Sequence, residues 1–193
     1  MKAVFTSFAA VAVLGAGAAM AAPVQYDFDP AHSQVVFDYD HMGFSTSTGI
    51  INGVTGKLML DAENPANSSV EATIPLSGLR TPSPELDKHL FGADFFNTDA
   101  AGAVATFKST KVELDGDKEA KVTGDLTLNG VTKPVVLDVD LNQVAAHPMV
   151  GKEAAGFDAE AEIKRTEFNL GKFAPAVEDE VEIKITVEAV KAE

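Results

Sequence analysis

The chain has 193 residues, with 15 basic against 29 acidic side chains and neither Cys nor Trp. A net charge of −14 argues against a nucleic-acid partner, because a polyanion would be repelled over most of the surface. The lack of Cys excludes a disulfide scaffold, a cysteine nucleophile, thiolate metal sites and a lipid-modified N-terminal Cys, while a 46% hydrophobic share marks a globular chain able to bury one core.

Residues 1–21 carry Lys2, an apolar run from Ala3 to Ala19, and Ala19-Met20-Ala21 at the end. One positive charge, a short apolar stretch and small residues at the cleavage positions are the parts of a secretory signal cut after Ala21. A membrane anchor is the alternative reading, but Gly15 and Gly17 break the run and no basic stop-transfer flank follows. The expectation is a soluble periplasmic or secreted protein whose mature part, residues 22–193, is one domain; loss of Lys2 takes its charge to −15.

From there the dominant pattern has a period of two. Val35, Phe37, Tyr39 and His41 share a face opposite Asp38 and Asp40. A less regular strand covers Thr48–Leu60, and Val70, Ala72, Ile74 and Leu76 alternate with Glu71 and Thr73. Ser83 then caps a short helix with Pro84 in its first turn and Leu86 and Leu90 on one face, ending near Gly92. Ala103–Leu114 returns to strand, followed by Val122, Gly124, Leu126 and Leu128. Asn129-Gly130 predicts a tight hairpin into Val135, Leu137, Val139 and Leu141. Phe157, Ala159, Ala161 and Ile163 form the next apolar row, and Val181, Ile183, Ile185 and Val187 the last, each facing acidic residues on the opposite side.

About eight strands with one apolar and one acidic face predict an all-β domain, closed as an antiparallel barrel or stacked as a sandwich. A membrane barrel would need aromatic girdles, which a chain with no Trp and two Tyr does not supply. Gly49, Gly56, Ala72, Ala103, Ala105, Gly124, Ala159 and Ala161 fall on the inner parity. Small residues there either leave an elongated cavity or alternate with large ones to fill a tapering core.

Little in the chain points to catalysis. There is no nucleophile elbow, phosphate loop or dinucleotide fingerprint. The histidines, His32, His41, His89 and His147, lack metal-ligand spacing, and neither a metal site nor a cofactor is expected. The acids fall almost entirely on the solvent parity. Arg165, one of two Arg, follows Ile163 on the inner parity, where a guanidinium needs either a carboxylate such as Glu167 or an anionic ligand.

Asp29-Pro30-Ala31-His32-Ser33, with Val35-x-Phe37 and His41-Met42-Gly43, resembles the opening of the YceI-like family. So do Asp87-x-His89-Leu90 with Asp94-Phe95-Phe96, Ala105 to Ser109, the run from Thr123 to Val135, and Arg165-Thr166-Glu167-Phe168. The resemblance implies an eight-stranded antiparallel lipocalin-like barrel with one helical excursion around residues 83–91. It further implies a periplasmic carrier that holds a long isoprenoid-type lipid in its lumen, is often dimeric, and makes transient contact with a membrane or membrane partner. The chain departs from the family pattern at Leu86, near Thr48 and at Asn169, where Arg, Arg and Gly are usual. On this reading the ligand-binding residues are Phe37, Tyr39, Phe44, Leu58, Ile74, Leu76, Phe107, Leu126, Leu137, Phe157 and Ile163, with His41 and Arg165 at the polar head. Two other functions fit the same residues: an enzyme using His41 as acid or base, and a stress-linked interaction module with a filled core.

Overall fold

The computed structural model describes residues 22–97 and 103–193; the leader proposed at residues 1–21 lies outside the described residues. The strands are β1 (Val24–Phe28), β2 (Gln34–His41), β3 (Ser45–Asn52), β4 (Thr55–Leu60), β5 (Ser69–Pro75), β6 (Leu79–Arg80), β7 (Val104–Leu114), β8 (Glu119–Leu128), β9 (Val131–Ala146), β10 (Glu153–Lys164) and β11 (Glu180–Lys191). Every pairing is antiparallel. The order β1-β4-β5-β7-β8-β9-β10-β11 returns to β1 and so closes a ring of eight, while β2, β3 and β6 extend the wall beyond β11.

Two of the extra strands, β2 and β3, arise because two wall positions are broken, and β6 continues β5 past the turn at Leu76–Gly78. β11 carries β1 on its C-terminal half, where Ala189 faces Phe28, and β2 on its N-terminal half, where Ile185 faces Val35. β1 and β2 thus occupy one position interrupted at residues 29–33. The predicted strand Thr48–Leu60 is likewise two, β3 and β4, because Gly53 takes φ +78° and turns the chain. The two breaks are stitched together: Val54 N–H donates to the Ser33 carbonyl at 3.3 Å, and the buried Ser33 hydroxyl donates to the Glu188 carbonyl at 3.3 Å.

Local chemistry fixes the remaining connections. Asn129 and Gly130 sit at φ 49° and 75°, the positive pair that a tight hairpin between right-twisted strands requires. The helix, α1, spans Pro84–Leu90, with the Ser83 hydroxyl accepting the Leu86 N–H at 3.3 Å and acids leading, bases trailing. It lies toward the end of the barrel where β3 pairs with β6, and Leu90, Phe91 and Phe96 pack against Val35, Ile51, Ile74, Leu76 and Leu79. The predicted alternation holds throughout: the apolar rows point inward and the acidic rows outward, where pairs such as Lys108–Glu71 and Lys184–Asp38 are exposed and contribute little.

Candidate functional site: the barrel lumen

The inward rows of all eight wall positions converge on a common interior. Of the residues expected to contact a ligand, Phe37, Tyr39, Leu58, Ile74, Leu76, Phe107, Leu126, Leu137, Phe157 and Ile163 all occupy that interior. The structure divides them into two kinds. Ile74, Leu76, Phe107 and Ile163 are at most 9% exposed and belong to packed wall. Phe37, Tyr39, Leu58, Leu126, Leu137 and Phe157 are only partly buried, although each lies within a strand and points into the barrel. Most of them pack against the buried clusters on one side and keep part of their surface accessible on the other. Ile183, Ile185 and Val187 of β11 share that situation, as do Phe28 and Val135. They carry the same alternation in sequence and were not singled out, because periodicity marks a face without saying which of its members stay uncovered.

The small residues on the inner face have a specific use. Gly49 lies directly across from Phe37, and a Cβ built on Gly49 would fall 2.2 Å from the tip of that ring. A Cβ on Gly124 would fall 2.3 Å from the tip of Phe107, and one on Gly56 would fall 2.8 Å from Phe28. The glycines therefore neither leave holes in the wall nor alternate with large residues along the axis. Each provides a shelf that the phenyl ring of a neighbouring strand occupies in place of a side chain.

Three expected residues lie elsewhere. Phe44 is 90% exposed, because the β2–β3 hairpin turns outward through Met42 and Gly43, at φ 61° and 74°. His41 has the inner parity but is the last residue of β2, paired with Ser45 beside the hairpin, exposed at the rim and bridged to Val177. Arg165 binds the fold itself. Its Nη1 donates to the carbonyls of Leu170 and Lys172 at 2.7 and 3.2 Å, its Nη2 to those of Val177 and Glu178 at 2.9 and 2.6 Å, and its Nε to Glu178 at 2.9 Å. Neither Glu167 nor an open lumen receives the guanidinium. The cause is the irregular loop of residues 166–178, whose carbonyls have no sheet partners and are met by the one side chain with five donors. Burial pulls the Arg165 pKa below its ordinary value.

That loop covers one mouth of the barrel. Phe168 and Leu170 anchor it in the interior at 1% and 7% exposure, and the Asn129 side chain donates to the Phe168 carbonyl at 3.1 Å. Asn169 takes φ 58°, which accounts for the glycine usual at this position in the family it resembles. Burial raises the Asp179 pKa, but hydrogen bonds from the Thr166 hydroxyl and N–H and the charge of Arg165 outweigh it, leaving the carboxyl below its ordinary value. Phe173 of the same loop clusters with His89 and Phe95, with ring centroids 5.3–6.2 Å apart. Lys172 and His89 both reach Asp94, at 3.3 and 3.5 Å, and the Lys172 hydrogen bond holds that carboxyl below its usual range.

Residues 26–189 match the family model described as the YceI-like domain. Protein YceI of Escherichia coli O157:H7 is 42% identical over 179 residues, covering 93% of this chain and 92% of its own. Among solved structures, that of Burkholderia cenocepacia BcnA superposes with a TM-score of 0.73 at 27% identity, over 83% of this chain and 98% of BcnA. A polyisoprenoid binding domain from Saccharophagus degradans shares the fold with a TM-score of 0.63 at 13% identity, over 88% and 99% of the two chains.

Proposed function

The chain belongs to the YceI-like family, and from that premise we propose that it is a binding and carrier protein for a long-chain isoprenoid-type lipid held in the barrel lumen. The observation that carries this reading is the row of partly buried apolar side chains inside the closed barrel: Phe37, Tyr39, Leu58, Leu126, Leu137 and Phe157 face inward and keep part of their surface accessible. A lumen of that kind is favourable for a hydrocarbon tail, since each buried methylene gains about 0.8 kcal/mol. The acidic outer rows keep the loaded protein in solution, and the closed ring leaves few strand edges to aggregate. The polyisoprenoid binding domain of S. degradans shares the architecture, which supports the same use of the lumen here.

The reading includes no bond-making step. His41, the residue an enzyme of this type would need as acid or base, is at the exposed rim rather than in the lumen. Residues 1–21 direct export to the periplasm, where a polyisoprenoid needs an enclosed route between membranes. Mass spectrometry of the protein purified from its native compartment tests both points. A stoichiometric hydrophobic adduct, released by organic extraction from a chain beginning at Ala22, is the expected result. An empty barrel that also takes up neither polyprenyl phosphates nor isoprenoid quinones would overturn the carrier reading.

A further inference from the structure

The break between β1 and β2 gathers metal-ligating groups on the outside of the barrel, away from the lumen. Asp29, His32 and Glu188 each bring one ligand atom to within 4.8 Å of the others. Glu188 stands on the outward parity of β11, between the inward Val187 and Ala189. We propose that these three residues form a site for a divalent transition-metal ion, with Zn²⁺ as the favoured occupant.

The backbone already holds the three residues in place. Asp29 N–H donates to the Glu188 carbonyl at 2.8 Å, tying the interrupted strand to β11 beside the Glu188 side chain. One Asp29 oxygen accepts the Ala31 N–H at 2.9 Å, and the other lies 2.8 Å from His32 Nδ1. Tetrahedral ligands on an ion with bonds near 2.1 Å stand about 3.4 Å apart, so Asp29 and His32 have to part by about 0.6 Å, giving up their mutual hydrogen bond, to admit one. Glu188 is oriented in turn by His147, whose Nε2 lies 3.0 Å from Glu188 Oε1. His147 Nδ1 accepts the N–H groups of Met149 and Val150 at 3.2 and 3.3 Å, so the ring proton is on Nε2 and points at the carboxylate. His147 is therefore a positioning residue and not a fourth ligand, the role commonly filled by a hydrogen-bond donor behind a coordinating carboxylate.

Charge and ligand type select the ion. Two carboxylates and one imidazole carry two negative charges, and among the described residues neither carboxylate pairs with Lys or Arg. A nitrogen donor favours zinc and its late first-row neighbours over Mg²⁺ and Ca²⁺, which prefer all-oxygen shells. Three protein ligands leave further positions on the ion, and His32 and Glu188 line a groove of about 570 Å³ that runs past Gln34, Asn142 and Thr186. The site keeps exchangeable positions, as ions with a solvent or small-ligand coordination partner do.

The test is a titration of the full tag-free chain, stripped with chelator, with Zn²⁺ and Co²⁺, and with Mg²⁺ as control. One Zn²⁺ per chain is expected, with a melting temperature raised by roughly 5–10 °C at about a hundredfold excess over Kd. Co²⁺ is expected to show ligand-field absorption that Zn²⁺ abolishes. His32→Ala and Glu188→Gln each lower affinity at least about tenfold and leave the circular dichroism and lipid content unchanged. His32 is 65% exposed, so its variant retains the fold. Equal stabilisation by Mg²⁺, no saturable uptake, or variants that bind as the parent does would each overturn the proposal.

Discussion

Replacing Gly49 by Ala puts a methyl group where the tip of the Phe37 ring now rests. The new Cβ would stand 2.2 Å from Phe37 Cζ, against roughly 3.5–4.0 Å for a relaxed carbon contact, so the ring tip has to retreat by about 1.5 Å. Its only free direction is off the wall and into the lumen. If the lumen is open, that movement costs an off-rotamer penalty of about 0.5–1.5 kcal/mol. It is largely offset by the roughly 0.5–1 kcal/mol that Ala gains over Gly within a strand. The expected result is a lipid-free stability within about 1 kcal/mol of the parent, and a clear drop in lipid retained by native mass spectrometry. If the interior were filled, the same methyl would overpack it at about 1–3 kcal/mol, a melting temperature several degrees lower, and lipid content would not respond. Urea denaturation of stripped protein beside the lipid assay separates the cases. A loss above about 2 kcal/mol with retention untouched would refute the argument from the glycine shelves.

Two further expectations concern the polar framework. Arg165→Met keeps the side-chain stem but strips the carbonyls of Leu170, Lys172, Val177 and Glu178 of their shared donor. It should cost about 2–4 kcal/mol in urea denaturation, with amide exchange accelerating across residues 166–178; a loss under about 1 kcal/mol would refute the clamp. The Tyr26 phenol donates to Glu153 at 2.5 Å, and its pKa is pushed up to about 12, by burial first and then by the Glu153 carboxylate. The unfolded chain releases this proton near 10 and the folded chain later, so stability falls as pH rises from about 10 to 12. Absorption titration of the phenolate should show Tyr26 ionising late, shifted only partway back in Glu153→Gln.

The fold was legible wherever one face of a strand is apolar and the other acidic. Burial against a single interior imposes that alternation, and the rows from Val122, Val135, Phe157 and Val181 kept their faces in the structure. The wall breaks were not legible. Gly53 interrupts hydrogen bonding without interrupting the apolar count, so β3 and β4 read as one strand, and β1, five residues long and cut off by Asp29-Pro30, went unseen despite Val24, Tyr26 and Phe28 alternating with Gln25 and Asp27. At the site, side-chain parity located the interior but not its ends. His41 and Phe44 failed because the hairpin after β2 turns outward, and Arg165 failed because its partners are loop carbonyls, which leave no trace in a pattern of side-chain types. The gathering of Asp29, His32 and Glu188 was equally hidden, since it depends on the register that brings residue 29 to residue 188 across the sheet.

The use of Arg165 as a clamp has a consequence for what the lumen can select. A charge-assisted hydrogen bond to a ligand's head would contribute about 1.5–3 kcal/mol, or roughly a ten- to hundredfold preference for an anionic head over a neutral one. The guanidinium has no donor to spare, His41 is outside, and Lys172 and His89 are already engaged by Asp94. Selection then falls to the length and girth of the tail, where each isoprene unit of five carbons brings about 3–4 kcal/mol of burial if it is enclosed. Competition among a polyprenol, its phosphate and an isoprenoid quinone of equal tail length should give affinities within about tenfold, while shortening the tail by one unit should weaken all three alike. A phosphate that binds about a hundredfold tighter than its alcohol would show that a cationic group does reach the head, and Lys172→Gln would then identify it by erasing the difference.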